Sequence, residues 1–395
     1  MTELKVRAAG TLKGARSGTA GRTTGPSMLT VPGGGGTPTT TDARHSPHPF
    51  WTTPLAVNEP IAATSADRVR RLVHQTSMGP DTNPGFPWSY PYNHETSTGN
   101  YSLPYYTMPA DWPRQPVWHT RTRGGGFQAI LDAGVPVPNP AHMPDGMIPP
   151  GGTDGALIIR QGNEVWEFWQ WRSSSQPGYT WEAEQGGYIA NINKHPAWWS
   201  GGPAFSGDGA RGDGYDWGVS ASGQSYIGSL LLAEDFYGEA IRHPLSLGLP
   251  ITGAAPGLPP KVLPAVRYDW LTFATGDVEN VRLPEGTRFR LPHSFDIEAW
   301  VASKALGSPG DTGTTAPILR KLLICLRDYG VFVGETAGVA QLMGEHEKVY
   351  GTPYHPYSAA QKPVWGNLGQ AIPWSSLVQI APPSVDISVP GAGPA

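Results

Sequence analysis

The sequence contains a single cysteine, Cys325, among 395 residues. One thiol cannot build an intramolecular disulfide framework or a multi-thiolate metal site. Because Cys325 lies within an apolar run with helical spacing, we expect a small buried core residue rather than a reactive thiol. We predict no cofactor and no resident metal from the sequence.

Charged side chains are also scarce, at 15% of the residues, whereas about a quarter is usual. The formal net charge is −4 and the isoelectric point is near 6.3, so the chain has no overall electrostatic attraction to nucleic acid. No run of about 18 apolar residues occurs, and the N-terminal residues lack the apolar core of a secretory signal peptide. We therefore expect no nucleic-acid partner and no membrane span. An extracellular role would need a route other than a signal peptide, and release with a virus particle is one such route.

Glycine (51 residues) and proline (42) are abundant, which is typical of irregular chains, but 15 tryptophans indicate a packed interior. Short strand-like runs separated by Gly/Pro turns are typical of a β-sandwich or jelly roll. We predict a mainly β protein with a sandwich or jelly-roll-like core, two or three accessory helices and long irregular arms.

Four regions follow one another along the chain. Residues 1–48 are basic and rich in glycine and threonine, which predicts an extended arm that packs on neighbouring chains of an assembly. Residues 49–126 are rich in proline and aromatic residues, which predicts one short helix among loops and edge strands, since proline cannot donate to a sheet ladder. Residues 127–350 hold the predicted β core, and residues 351–395 form a proline-rich tail.

Local patterns predict individual elements within these regions. Helices are expected at 65–73, 296–306 and 315–329, the last beginning at Thr315 and ending at Gly330. Strands are expected at 156–160, 164–171, 188–190, 266–273, 287–291, 331–333 and 376–381. Gln161-Gly162-Asn163 between the first two strands predicts a hairpin turn.

The densest aromatic segment is Glu164–Trp171. Alternation along a strand would place Glu167, Trp169 and Trp171 on one face. An unpaired buried carboxylate is costly. Either another layer covers this face and supplies a hydrogen-bonding partner for Glu167, or the face is a surface that binds a ligand.

Exposed indole rings stack on the C–H faces of sugars, so a carbohydrate-binding surface is one hypothesis for the tryptophan-rich region. Core packing and subunit contacts are the alternative. The candidate carbohydrate-binding residues are Glu167, Trp169, Trp171, Trp181, Trp198 and Trp199.

A glycan-cleaving enzyme would need a paired acid and base. Glu167 with Asp216, or Asp235 with His243, would serve only if the fold brings the two side chains together. The sequence has no serine nucleophile elbow, no zinc-binding His-Glu-x-x-His motif and no phosphate loop.

A glycine-rich loop at residues 206–218 gathers Asp208, Asp213 and Asp216. Such hard oxygen ligands suit Ca²⁺, but the spacing is not that of an EF-hand. A surface loop with Asx turns is the alternative to a calcium site.

Several segments, taken in order, resemble a group of proteins from actinobacteria and the long-tailed phages that infect them. They are Pro149–Gly155 leading into Trp166–Trp169, then Trp217–Gly223, Ile241–Pro250, Leu283–Leu291 and Leu326–Val333. In phage genomes such proteins are usually called minor tail proteins. The resemblance implies a virion component at the tail tip or on a tail fibre, and it supplies no catalytic residues.

The leading hypothesis is therefore a structural virion component of a phage tail tip or fibre. We expect it to contact other tail proteins through residues 1–48 and to form a homo-oligomer, with host cell-wall glycan as a candidate ligand. The alternatives are a glycan-cleaving enzyme, a glycosidase or lyase, on a β-sandwich, and a bacterial carbohydrate-binding surface protein.

Overall fold

The structure of the chain is a computed structural model. It describes residues 44–77, 94–97, 103–120, 125–138, 155–195, 218–232, 234–235, 238–253, 258–268, 281–304, 315–337, 340–346, 369 and 371–381. The predicted N-terminal arm is therefore described from residue 44 onward, and the predicted C-terminal tail mainly through residues 371–381.

Strands β1 to β13, numbered in chain order, form three sheets within these residues. The six-stranded sheet has the order β1 (His94–Ser97), β12 (Ala340–Met343), β9 (Leu245–Leu249), β11 (Val331–Thr336), β10 (Arg288–Arg290) and β13 (Val378–Gln379). The four-stranded sheet has the order β2 (Tyr105–Met108), β4 (Leu157–Gln161), β5 (Glu164–Trp169) and β8 (Gln185–Ile189). The three-stranded sheet has the order β3 (Val117–His119), β7 (Trp181–Ala183) and β6 (Arg172–Ser173).

Each sheet pairs strands in both directions. The pairs β1–β12, β9–β11, β2–β4 and β3–β7 are parallel, whereas β10–β11, β4–β5 and β6–β7 are antiparallel. The predicted mainly β class is confirmed. A jelly roll is an antiparallel arrangement, and the sandwich or jelly-roll arrangement stays a prediction.

Five α-helices are described: Pro49–Thr52, Ser65–Ser77, Gly125–Asp132, Ile297–Ser303 and Thr315–Asp328. The second, fourth and fifth are the helices that the sequence predicts. Asp296 caps the fourth, because its side chain accepts a hydrogen bond from the Ala299 N–H at 2.9 Å. Gly330 has a φ of 77°, the left-handed conformation that follows many helix ends.

The proline- and aromatic-rich region supplies edge strands, as its composition predicts. β1, β2 and β3 come from this region, and each lies at the edge of a different sheet. An edge strand leaves one row of backbone groups outside the ladder, so neighbouring prolines do not break the sheet.

Buried apolar side chains form three clusters, each of which fills the space between two layers of the fold. The first packs the helices Ile297–Ser303 and Thr315–Asp328 against one face of the six-stranded sheet. The second joins the opposite face of that sheet to the four-stranded sheet and to residues 219–232. The third joins the other face of the four-stranded sheet to the three-stranded sheet and the helix Gly125–Asp132. The four-stranded sheet is thus buried on both faces.

The hydrophobic core also includes residues outside the predicted core region 127–350. Trp51 belongs to the second cluster, and Leu72 and Trp374 belong to the first. Cys325 is buried in the first cluster, which confirms its expected role as a small core residue.

The predicted hairpin is present. β4 and β5 pair in antiparallel register from Gln161–Glu164 to Leu157–Phe168. Gly162 has a φ of 59° at the first turn position, where a type II′ turn favours glycine.

The strand predicted at 266–273 is wrong where the structure describes it. Val266, Arg267 and Tyr268 form no strand, and residues 269–273 lie outside the described residues. The backbone N–H groups of Val266 and Arg267 both donate to the Ser222 carbonyl, at 2.9 and 3.0 Å. A loop carbonyl therefore takes the donors that a neighbouring strand would need.

We expect Gly286→Ala to lower the free energy of unfolding by about 3 kcal/mol or more. Gly286 has a φ of 83°, and a Cβ there would lie 1.6 Å from the Val262 carbonyl oxygen. Gly162→Ala is the matched control, because Gly162 also has a positive φ but no atom lies within 4 Å of its would-be Cβ; it should cost about 1 kcal/mol. Urea unfolding of both variants tests this, and equal losses would contradict it.

Candidate functional site

Glu167 is buried between the two larger sheets and has hydrogen-bonding partners. Its side chain is 0% exposed. One carboxylate oxygen accepts a hydrogen bond from the Ser225 hydroxyl, and the other accepts from the Val219 backbone N–H at 3.2 Å. The structure therefore has the covered arrangement, in which another layer supplies the partners.

Trp171 does not share a face with Glu167, contrary to the expectation from strand alternation. β5 ends at Trp169, and Gln170 has a φ of 59°, in the left-handed region. This turn of the backbone sends Trp171 into the third cluster. There its ring stacks on Trp181 with centroids 5.5 Å apart, and both indoles are buried.

Trp169 is the candidate carbohydrate-binding residue that keeps partial exposure among those the structure describes. It packs against the second cluster on the side of β5 that carries Glu167. The other candidates lie in the interior or outside the described residues. Those outside are Trp198, Trp199 and the aspartates of the candidate calcium loop, Asp208, Asp213 and Asp216.

Asp235 and His243, one of the two predicted acid–base pairs, are brought together. His243 Nε2 lies 3.1 Å from Asp235 Oδ2, and both side chains are buried. His45 joins them: its Nε2 lies 3.5 Å from the same oxygen, and its ring stacks on His243 with centroids 3.7 Å apart. We call these three residues the His–Asp–His cluster. For the other pair, Asp216 lies outside the described residues.

The two histidines of the His–Asp–His cluster have the same orientation. The Nδ1 of His45 lies 3.3 Å from the Ile227 carbonyl oxygen, and the Nδ1 of His243 lies 2.8 Å from the Pro244 carbonyl oxygen. A carbonyl oxygen only accepts hydrogen bonds, so each Nδ1 carries the proton. Each Nε2 is therefore the atom that faces the carboxylate.

Further hydrogen bonds hold Asp235 and the backbone of His243 in place. Asp235 Oδ2 accepts from the Leu232 backbone N–H at 2.7 Å, while the Asp235 N–H donates to the Leu232 carbonyl at 3.1 Å. The Cys325 thiol donates to the His243 carbonyl at 3.1 Å. Asp235 is thus held within a local turn, whereas the backbone at His243 is tied to the helix Thr315–Asp328.

The electrostatics of the His–Asp–His cluster are those of coupled buried groups. Burial alone would raise the pKa of Asp235, but the charge of His243 and its hydrogen bond hold that pKa well below its usual value. Burial alone would lower the pKa of His243, but Asp235 raises it. Burial and the neighbouring His243 lower the pKa of His45.

Arg44, the residue before His45, lies in a second buried ionic cluster. Its Nε lies 3.0 Å from both carboxylate oxygens of Glu234, and its Nη2 lies 2.9 Å from Glu345 Oε2. The Tyr105 hydroxyl donates to the Arg44 carbonyl at 2.7 Å. Burial alone would lower the pKa of Arg44, but Glu345 and Glu234 raise it above its usual value. The Glu345 side chain is fully buried, whereas that of Glu234 is 40% exposed, so the cost of about 3–5 kcal/mol for removing one partner of a buried pair applies to Arg44 with Glu345.

Sequence reasoning found Asp235 and His243 as a candidate pair but missed Arg44 and His45. Both lie in the region predicted as an arm from its composition, and Arg44 lies 190 residues from Glu234. No spacing motif connects contacts so far apart. The signal that was available is the presence of two adjacent polar pairs, Arg44-His45 and Glu234-Asp235, in a chain with few charges.

Comparison with known proteins gives no further assignment. No protein-family model, curated protein or solved structure matches this chain. Among the described residues, no helix is long and apolar enough to cross a membrane. A function must therefore be inferred from the residues and their geometry.

We expect Glu167→Leu to destabilise the fold by about 1–3 kcal/mol, because the buried Val219 N–H and Ser225 hydroxyl lose their acceptor. Glu167→Gln should cost much less. Its amide oxygen can accept from Val219, and the Ser225 hydroxyl can rotate to accept from the amide NH₂. Chemical denaturation of both variants measures the difference, and a glutamine variant as unstable as the leucine variant would contradict this assignment.

Proposed function

We propose that this chain is a structural component of a phage tail, at the tip or on a fibre, attached to other tail proteins through residues 1–43, the part of the predicted arm that precedes the buried Arg44. The proposal begins with the resemblance to minor tail proteins. The observation that supports it most directly is the buried ionic cluster around Arg44, at the point where the predicted arm meets the core.

Residues 44–55 are anchored to the core at several points, with Arg44, Ser46 and Trp51 buried. Beyond the Arg44 cluster, the Ser46 N–H donates to the Ile227 carbonyl at 2.8 Å and the Leu55 N–H donates to the Asp328 carbonyl at 2.6 Å. Trp51 is 0% exposed between the two larger sheets. A load applied through the N-terminal segment would therefore reach both sheets, as an attachment arm requires.

Three of the segments that carry the resemblance lie side by side in the fold. Ile241–Pro250, Leu283–Leu291 and Leu326–Val333 contain β9, β10 and the start of β11, and these strands are adjacent in the order β9-β11-β10. Sequence features shared among related proteins are expected to cluster in this way when they maintain one structural element.

The described geometry gives less support to the glycan-cleaving alternative. Glu167 is fully buried and accepts two hydrogen bonds from the protein. Asp235 and His243 are also buried. A glycosidase needs carboxyl groups that flank the scissile bond of a bound sugar, and these carboxylates are not accessible to a polysaccharide.

Mass spectrometry of purified phage particles should detect this chain. Deleting residues 1–43 keeps Arg44 and its partners, so the core should fold, as judged by circular dichroism, but the truncated chain should be missing from particles. Deleting residues 382–395 instead is the matched control and should leave incorporation unchanged. The proposal fails if the full chain is absent from particles, or if the chain without residues 1–43 is incorporated normally.

Host cell-envelope glycan is the candidate ligand, and Trp169 is the residue through which it is best tested. Trp169→Ala should abolish binding on a glycan array while the circular dichroism spectrum is retained, because a stacking surface is removed. Trp171→Ala is the control: it removes a buried indole and should lower stability without changing the affinity of the folded fraction. Unchanged binding by Trp169→Ala would rule out this surface.

A further inference from the structure

The His–Asp–His cluster has the composition and geometry of a metal centre. We infer that His45, Asp235 and His243 bind one divalent transition-metal ion, with Zn²⁺ as the first candidate. This inference does not depend on the proposed role in a phage tail.

The distances fit such an ion. The three ligand atoms lie within 4.8 Å of one another, and the two Nε2 atoms lie 3.1 and 3.5 Å from Asp235 Oδ2. A tetrahedral ion bound at about 2.0–2.1 Å holds its ligand atoms roughly 3.3 Å apart. These separations from Asp235 Oδ2 suit an ion, but the two imidazole rings stack with centroids 3.7 Å apart, so they must move apart until the ion lies in the plane of both rings.

The orientation of the imidazoles is that of metal ligands. Histidines that bind a metal usually donate the other ring N–H to a carbonyl or carboxylate, which fixes the tautomer. Both His45 and His243 have a backbone carbonyl at Nδ1. Both Nε2 lone pairs are thereby directed toward the same carboxylate.

Without a cation this arrangement is poorly satisfied. Two nitrogen lone pairs face a carboxylate oxygen, and all three atoms are acceptors. A proton on His243 would satisfy the 3.1 Å contact, but it would leave His45 Nε2, a buried atom with no hydrogen-bond partner among the described residues. An unsatisfied buried polar atom is costly and rare. Asp235 Oδ2 already accepts from the Leu232 N–H, and a metal ion would satisfy the two imidazole nitrogens together.

The ligand set indicates the class of metal. Two imidazole nitrogens and one carboxylate oxygen suit Zn²⁺ and neighbouring transition metals, whereas Ca²⁺ and Mg²⁺ prefer oxygen ligands alone. The side chains of His45, Asp235 and His243 are only 12%, 9% and 3% exposed. Such burial points to a structural ion that links residue 45 to the chain preceding β9, with water completing the coordination.

Metal titration of the full-length protein tests the inference. After stripping with EDTA, the chain should take up one Zn²⁺ in competition with a chromophoric chelator, and Zn²⁺ but not Mg²⁺ should raise the Tm by on the order of 5 °C. His45→Asn and Asp235→Asn should each weaken Zn²⁺ binding by at least roughly 100-fold.

His48→Asn is the matched control. His48 lies three residues from His45, but its Nδ1 accepts from the Phe50 N–H at 3.2 Å and caps a helix, a role that asparagine also fills. This variant should bind Zn²⁺ as tightly as the unsubstituted chain. The unsubstituted chain, stripped of metal with EDTA, gives a further test whose result does not depend on whether a variant folds. Absence of a Zn²⁺-dependent Tm shift in it, or undiminished binding by folded His45→Asn, would overturn the inference.

Discussion

The constraint on which this structure most depends is the burial of carboxylates between packed layers of apolar side chains. Glu167 and Glu345 are fully buried and Asp235 is nearly so. Without partners, each would oppose folding by several kcal/mol. Each has a partner in a distant part of the chain: a serine hydroxyl and a loop N–H for Glu167, Arg44 for Glu345, and His45 for Asp235, which also contacts the nearby His243. These pairings fix how the loops and the N-terminal segment lie against the sheets.

Local sequence signals predict the local structure well. The helix Thr315–Asp328 follows from the 3.6-residue spacing of its apolar residues and the glycine at 330, and the β4–β5 hairpin follows from its turn residues, because in both cases the deciding interactions lie within a few residues. The side of the sheet on which Trp171 lies cannot be predicted from such local signals. It depends on the positive φ of Gln170. This conformation is uncommon for residues other than glycine, so the sequence does not predict it.

At the candidate site, too, local sequence signals predict contacts between residues that are close in sequence but not between residues that are far apart. Asp235 and His243 are eight residues apart, close enough for a sequence to suggest them as a pair. His45 reaches them from a segment whose composition resembles a disordered arm, and composition carries no information about a partner. The density of indoles in the aromatic strand does not distinguish binding from core packing: Trp171 and Trp181 are buried, and buried aromatic residues are a common means of filling a core.

Two consecutive residues, at the point where the N-terminal segment meets the core, belong to two separate polar clusters. Arg44 pairs with Glu234 and Glu345, while His45 meets Asp235. Glu234 and Asp235 are themselves consecutive, so two short stretches of chain are joined through two independent contacts. A single surface ion pair would contribute little to stability. Here, however, a shift of the N-terminal segment by one residue would leave buried charges unpaired, so few other positions of the segment are possible. We therefore regard this junction as the element that sets the position of the N-terminal segment, and a metal ion within it would strengthen that specification.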